Sequence, residues 1–213
     1  MSRTVAVVDY GMGNLRSVAK ALEHVAPDAR VLVTSSAAEI AAADRVVVPG
    51  QGAMPDCMNE LTQRGLRDAV IKAAADKPFL GICVGLQMLF GHAEEGDVMG
   101  LEVLPGRVPR FPAAQMIDSN GQQLKVPHMG WNEVIQAEPH PLWQDIATDA
   151  RFYFVHSYYV LPDDASIASG HTQYGIPFTS SVARDNIFAV QFHPEKSAQA
   201  GLALLKNFMH WQP

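Results

Sequence analysis

The chain has few cysteines and no cluster of basic residues. Its two cysteines, Cys57 and Cys83, are too few for a disulfide framework, and such low usage fits a reducing compartment. Lys and Arg total 16 against 22 Asp and Glu, which gives a net charge of −6, and no stretch is rich in Lys or Arg. Binding along a nucleic-acid backbone needs clustered positive charge, so we do not expect nucleic acid as a partner.

Long apolar runs are also lacking. The most apolar charge-free run covers residues 79–91, which is shorter than the roughly 18 residues that a bilayer-spanning helix needs. Near the amino terminus, Asp9 interrupts the apolar run too early for the core of a secretory signal. We therefore expect a cytoplasmic chain without a membrane segment. With 213 residues and 48% hydrophobic residues, the chain suits one domain with a sizeable core, spanning residues 1–213.

Short apolar, β-branched runs alternate with helical patterns in the first half of the chain. Strands are predicted at residues 5–8, 31–34, 45–48 and 78–83, and helices at 14–26 (capped by Asn14), 56–75 and 84–90. After about residue 100, the pattern predicts a hairpin turn at 118–121, closely spaced strands at 151–160, 166–174, 179–184 and 187–192, and a final helix at 197–210. The sequence thus predicts an α/β fold with a mostly parallel central sheet, flanking helices and an antiparallel β extension.

The segment GICVGLQ, residues 81–87, lies where a buried strand passes directly into a helix. Glycines on both sides of Cys83 permit the tight turn of a nucleophile elbow. The helix amino terminus stabilises a thiolate, and the N–H of Val84 can donate to an oxyanion. A free cysteine is more often a small buried hydrophobe, which is one explanation for Cys57, a surface thiol being the other. At Cys83 the flanking glycines favour a nucleophile.

A cysteine nucleophile needs a base, and the base needs an orienting group. His193 and Glu195 follow a predicted strand and stand two residues apart, so both can face one crevice. A lone strand-end histidine is more often structural, but the HPE triplet together with the elbow favours a catalytic pair. The loop PGQG at 49–52 follows another strand, and its glycines can bring N–H groups close to a ligand. Taken alone, this loop is more often an ordinary turn.

Two other patterns are rejected as sites. The segment YGMGNLR at 10–16 resembles a dinucleotide loop, but Arg16 replaces the third glycine and no acidic residue ends the second strand. No His and Cys cluster has zinc spacing. We therefore expect neither a cofactor nor a metal.

Together these motifs resemble the class I, triad-type glutamine amidotransferases over essentially the whole chain. The segments YGMGNL, PHMGWN (127–132), FVHSY (154–158) and HPEKS (193–197) are similar to those of the glutaminase subunits of imidazole glycerol phosphate synthase, in histidine biosynthesis. The resemblance implies that Cys83 attacks the glutamine carboxamide. It also implies that His193 transfers protons and that Glu195 orients His193.

The resemblance further implies an oxyanion site, a substrate site and a heterodimer. Oxyanion donors are expected at Gln51, Gly52 and Val84, and contacts to glutamine at Gly50, Gly52, Gln87, Ser157 and Tyr158. The ammonia passes to a (β/α)8-barrel cyclase, and the residues expected at or near that interface are Asn14, Met129, Trp131, Tyr153 and Lys196. For Trp131 and Tyr153, core packing is the alternative.

Two positions depart from the family pattern. Gln51 stands where relatives often have a small apolar residue, and Val84 replaces a common Leu. Both residues act through the backbone, so little loss is expected. Whether the loop containing Gln51 is preformed or must flip stays open, and we expect low activity until the partner and its ligand bind.

Three alternatives remain at this point. The chain could be an amidotransferase subunit of another pathway, which the YGMGN and PHMGW segments disfavour. It could be an inactive scaffold that only binds a synthase, which the intact Cys83, His193 and Glu195 disfavour. A cysteine hydrolase that acts on other amides without a partner is the third.

Overall fold

The β-branched runs of the sequence form buried strands in the computed structural model, which describes residues 3–213. Within this part of the chain the strands are, in order, β1 (Thr4–Val8), β2 (Arg30–Thr34), β3 (Arg45–Gly50), β4 (Phe79–Cys83), β5 (His92–Ala93), β6 (Val98–Met99), β7 (Gly106–Val108), β8 (His128–Glu133), β9 (Ile135–Gln136), β10 (Arg151–His156), β11 (Leu161–Pro162), β12 (Ala168–Tyr174), β13 (Ile176–Arg184) and β14 (Ile187–Val190).

The helices fall between and after these strands. They are α1 (Leu15–Val25), α2 (Ala37–Ala42), α3 (Met54–Gln63), α4 (Arg67–Asp76), α5 (Val84–Gln87) and α6 (Ala198–His210). In the described residues no helix is both long enough and apolar enough to cross a membrane.

One eight-stranded sheet has the order β2-β1-β3-β4-β14-β13-β12-β9. Neighbours from β2 to β14 are parallel, and neighbours from β14 to β9 are antiparallel. The predicted fold class, a mostly parallel α/β sheet with an antiparallel extension, is confirmed. Every residue of β3, β4 and β14 is buried, as expected for strands covered on both faces.

Two smaller sheets lie beside the large one. Strands β8 and β10 pair with each other in antiparallel fashion, and the other sheet has the order β11-β7-β5-β6. The sequence did not predict β8, because only its first residue, His128, is buried, so the segment carries no run of apolar residues. The hairpin turn predicted at 118–121 is confirmed by an antiparallel bridge between Ile117 and Gln123.

Several predicted helix bounds are wrong. The single helix expected over residues 56–75 is two helices, separated at Gly65, whose φ of +67° lies in the left-handed region. The helix expected over 84–90 ends at Gln87. Asn14 precedes α1, but its side chain makes no capping hydrogen bond. The short helix α2 was missed, since of its six residues only Ile40 is buried.

Candidate active site

Cys83 ends β4 in a strained conformation. Its φ of 56° and ψ of −112° lie outside the regions that side-chain-bearing residues prefer, and α5 begins at the next residue. The flanking glycines make this turn possible. A Cβ on Gly81 would stand 2.8 Å from the Gly85 oxygen, and a Cβ on Gly85 would overlap the Val48 carbonyl oxygen. The structure therefore places Cys83 on the elbow that the sequence predicts, packed directly against β3.

His193 and Glu195 form a buried pair just beyond β14. His193 Nδ1 lies 2.9 Å from Glu195 Oε1, and the two side chains are 3% and 1% exposed. The other ring nitrogen, Nε2, is buried and makes no hydrogen bond to any group within residues 3–213. Burial by itself lowers the pKa of His193, but the nearby Cys83 thiol and Glu195 outweigh it and raise that pKa to about 10. The imidazole can thus hold a proton beside the sulfur at neutral pH.

Cys83 and His193 open onto one cavity of about 330 Å³. Six further residues predicted for the site line it, namely Gln51, Gly52, Val84, Gln87, Ser157 and Tyr158. Gly50 lies at the end of β3, where it pairs with Cys83. The structure thus brings the predicted nucleophile, base, loop and substrate residues together around one space.

Tyr10 contacts the end of β3, and Cys57 contacts the loop that follows it. The Tyr10 hydroxyl donates to the Pro49 carbonyl at 2.8 Å, and the Cys57 thiol contacts the Gln51 carbonyl at 3.6 Å. Cys57 is fully buried, and burial raises the pKa of its thiol to about 11. The surface-thiol explanation for Cys57 is therefore wrong, and the buried one is confirmed.

Two buried amides stand beside the nucleophile. Gln87 Nε2 donates to the Tyr158 carbonyl at 3.3 Å and to Gln191 Oε1 at 3.1 Å. Gln191 Nε2 lies 3.7 Å from the Cys83 sulfur. Sequence reasoning missed Gln191, although an amide in an otherwise apolar strand run, two residues before His193, is a usable signal.

Four residues that the sequence did not predict for the site also line the cavity: Glu95, Pro127, Val155 and His156. Glu95 also accepts a hydrogen bond from the Met54 N–H at 2.7 Å and so ties its turn to the start of α3. No sequence pattern marks Glu95, because it lies in a turn far from the other site residues in the chain.

Four of the five residues expected at a partner interface cluster around β8 and β10. Met129 is 66% exposed and Trp131 is 45% exposed. The Trp131 ring meets Tyr153 edge-on at 6.2 Å, and Lys196 Nζ lies 6.0 Å from the centre of the Tyr153 ring. Core packing is thus wrong for Trp131. The fifth residue, Asn14, stands at the start of α1.

Within residues 3–213, no three His, Cys, Asp or Glu side chains are grouped so as to hold a metal ion. The polar groups of the cavity are a thiol, an imidazole, side-chain amides, backbone N–H groups and the Glu95 carboxylate. Apart from Glu95, they suit an amide and its oxyanion. This set of groups suits acyl transfer through the Cys83 sulfur.

A family model described as "Glutamine amidotransferase class-I" matches residues 6–211, and the chain belongs to this family. Within it, the chain is similar to curated proteins named "Imidazole glycerol phosphate synthase subunit HisH". The relative from Aromatoleum aromaticum is 67% identical over 209 residues, which are 98% of this chain and 99% of the relative. The relative from Nitrosospira multiformis is 66% identical over 209 residues, 98% of each chain. The family resemblance is confirmed.

Solved structures carry the same fold at low identity. A structure described as a glutamine amidotransferase has a TM-score of 0.69 and 17% identity, with 97% of each chain covered. A glutamine amidotransferase from Thermotoga maritima has a TM-score of 0.60 and 17% identity, covering 94% of this chain and 79% of that one.

Proposed function

We propose that this chain is the glutaminase subunit of an imidazole glycerol phosphate synthase. It hydrolyses glutamine to glutamate and ammonia at Cys83 and delivers the ammonia to a separate cyclase subunit with a (β/α)8 barrel, in histidine biosynthesis. The observation that carries this proposal is a strained elbow cysteine that shares one cavity with a buried His193–Glu195 pair. High identity to the HisH subunits over the full length supports it.

In the first step, the Cys83 thiolate attacks the side-chain carbonyl of glutamine. The oxyanion that forms accepts hydrogen bonds from the backbone N–H groups of Val84 and of Gln51 or Gly52, and one such donor contributes about 10²–10³ in rate. Because the pKa of His193 is raised, its imidazolium holds a proton for the leaving ammonia. The products are a γ-glutamyl thioester and ammonia.

In the second step, His193 is neutral and takes a proton from water, which attacks the thioester. Collapse of the tetrahedral intermediate releases glutamate and returns the thiolate and the imidazolium. Throughout the cycle Glu195 holds the Nδ1 edge of His193, so Nε2 faces the reacting atoms. The unpartnered Nε2 of this structure is the nitrogen that performs both transfers.

The cavity suits a free amino acid with an amide side chain. Its volume of about 330 Å³ is at the small end of ligand sites. Glu95 provides a carboxylate for the α-ammonium group. The substrate is held by Gly50, Gly52, Gln87, Ser157 and Tyr158.

The partner binds over the face of β8 and β10, where Met129, Trp131, Tyr153 and Lys196 cluster, and reaches Asn14. This face is continuous with the site: the Tyr153 carbonyl accepts from the His193 N–H at 2.9 Å, and Met129 pairs with Val155, which lines the cavity. Ammonia formed at Cys83 therefore arises directly beneath the proposed interface. We place the heterodimer in the cytoplasm, with low glutaminase activity in the free subunit.

Residues 1–213 act as a single glutamine amidotransferase domain in this proposal. One eight-stranded sheet joins strands from the first and last thirds of the described chain, and the family match extends over residues 6–211.

The test is a mixing assay with a candidate cyclase. With wild-type chain present, glutamine should replace ammonium as the nitrogen donor for imidazole glycerol phosphate. Cys83→Ala should abolish the glutamine-dependent reaction and leave the ammonium-dependent one, which serves as the internal control for cyclase activity. Equal glutamine-dependent rates in wild type and Cys83→Ala would refute the nucleophile, and full activity of the isolated chain would refute partner dependence.

A further inference from the structure

Two buried histidines face each other beside the cavity without taking part in the proposed proton transfers. His128 of β8 and His156 of β10 occupy paired positions in the small antiparallel sheet, and they are 3% and 6% exposed. The His128 ring stacks between Phe154 and Tyr174, at centroid distances of 4.8 and 4.0 Å. Such packing on both faces fixes the direction of the ring edges.

The hydrogen bonds of the pair have a defined direction. His156 Nδ1 lies 2.7 Å from the Tyr158 carbonyl, which can only accept, so Nδ1 carries the proton. Burial lowers the pKa of His156 to about 3, so the ring is neutral and its Nε2 is an acceptor. His128 Nδ1, 3.0 Å away, must then be the donor to this nitrogen.

At its outer end the chain of hydrogen bonds continues to Asn132. Burial lowers the pKa of His128 to about 4, so its Nε2 accepts from the Asn132 amide at 3.3 Å. The same Asn132 nitrogen donates to the Gln173 carbonyl at 2.9 Å. His128 and Asn132 line a second cavity of about 600 Å³ together with Trp131 and Met129 of the proposed interface.

At its inner end the chain of hydrogen bonds reaches Cys83. The Tyr158 carbonyl that accepts from His156 also accepts from Gln87 Nε2 at 3.3 Å. Gln87 contacts Gln191, which in turn contacts the Cys83 sulfur. One continuous path of hydrogen bonds thus joins the β8–β10 face to Cys83 through the peptide that carries Tyr158.

Both ring nitrogens of His156 are occupied by protein groups. Although the residue borders the cavity, neither nitrogen is free to bind a substrate or transfer a proton to it. Its influence on the reaction must therefore pass through the Tyr158 carbonyl.

We infer that His156, backed by His128, is a positioning residue of the glutaminase site: it fixes the Tyr158 peptide and, through it, the substrate contacts of Ser157, Tyr158 and Gln87. This inference rests on the proposed function.

Removing the histidine donor should weaken glutamine binding. In the complex with the cyclase, His156→Phe should raise the KM for glutamine about 10-fold while kcat changes less than about threefold, because the Tyr158 carbonyl loses the closer of its two donors. His156→Asn should stay within about threefold of wild type, since its amide N–H can replace Nδ1–H. The ammonium-dependent reaction of all these complexes should be unchanged.

A control comes from a half-buried histidine in another part of the fold. His140 lies against Phe188 and Trp211 and has no link to the chain of hydrogen bonds described above. His140→Phe should lower stability without raising the KM for glutamine. If His156→Phe does not fold, His128→Leu, which removes the support of the His156 ring, should raise KM about fivefold.

The outcomes separate the two claims. A wild-type complex that does not hydrolyse glutamine refutes the proposed function. With an active wild type, a His156→Phe KM within twofold of normal refutes the positioning role alone. An equal rise in His140→Phe, or the absence of rescue by His156→Asn, would likewise refute it, since a general loss of stability would then explain the effect.

Discussion

Gly50 and Cys83 are paired residues at the carboxyl ends of the neighbouring parallel strands β3 and β4. A Cβ on Gly50 would stand 2.6 Å from the Gly85 nitrogen and 2.7 Å from the Val84 Cβ. The first turn of α5 therefore rests directly on the backbone of β3. The position of Cys83 therefore depends on the lack of a side chain at Gly50 in the neighbouring strand.

Gly50→Ala should push α5 and Cys83 out of place. We expect a loss of about 1–3 kcal/mol in the free energy of unfolding, as for other overpacked sites, and a fall of more than about 10-fold in glutamine-dependent kcat/KM, the cost of misplacing a reacting group. Urea denaturation and glutaminase assays of the complex measure the two effects. Gly65→Ala is the matched control, because alanine is strained at a φ of +67° but nothing in the described residues lies within 4 Å of the added Cβ. Gly65→Ala should lower the free energy of unfolding without lowering kcat/KM. An equal fall in kcat/KM in both variants would contradict the role of Gly50 in positioning Cys83.

The rate of glutamine hydrolysis should depend on pH through His193. Cys83 and Glu195 hold the pKa of this imidazole near 10, so the proton needed by leaving ammonia is present at neutral pH. Glu195→Gln removes one cause of the raised pKa. The alkaline limb of the kcat/KM profile for glutamine should therefore move to lower pH in this variant, measured in the complex. An alkaline limb at the same pH in both proteins would exclude Glu195 as the cause.

Stability should fall on both sides of about pH 6.5. Burial lowers the pKa of His128 and His140 to about 4 and that of His156 to about 3, so the unfolded chain binds more protons than the folded one as pH falls from 6.5. Each such proton costs about 1.4 kcal/mol per pH unit. His193, whose pKa is raised, acts in the other window: its stabilisation is complete below pH 6.5 and is lost as pH rises towards 10.

Urea denaturation between pH 5 and 9 measures this profile. Below pH 6.5, His140→Phe should make the free energy of unfolding depend less steeply on pH, by an amount that corresponds to close to one bound proton. The profile above pH 6.5 should be unchanged. A flat profile between pH 5 and 6.5 would contradict the neutral state of His128, His140 and His156.

The two cysteines should differ in reactivity. Cys83 borders the open cavity, whereas Cys57 is fully buried and its pKa is raised to about 11. In the native protein, a small alkylating agent should modify Cys83 at least about 10-fold faster than Cys57, with peptide mass spectrometry as the readout. Both should react at similar rates in urea. Preferential labelling of Cys57 in the folded chain would contradict the assignment of the reactive thiol.

The parallel half of the fold and the core of the site follow from local sequence signals. Uninterrupted apolar runs mark buried strands, and glycines around Cys83 mark a backbone that other residues cannot adopt. The same reasoning failed at β8, where only the first residue is buried and no run of apolar residues occurs. It also failed at Gly65, which divides one helical pattern into two helices.

The sequence did not predict those parts of the site that tertiary contacts form. Glu95 reaches the cavity from a turn, and Gln191 reaches the Cys83 sulfur across the strand pair β4–β14. His156 lies within a motif noted from the sequence, yet its role depends on His128, which faces it only after β8 and β10 pair. Spacing along the chain does not predict such tertiary contacts.

Strand β14 is almost the last element of the chain, yet it occupies the middle of the large sheet, between β4 and β13. During synthesis, the edge of β4 therefore stays unpaired until nearly the whole polypeptide has left the ribosome and β14 is available to pair with it. Contacts between such distant segments slow folding, and exposed strand edges invite association with other chains. The order of strands thus ensures that the thiol meets its base only at the end of assembly, so an incomplete chain carries the nucleophile without the means to use it.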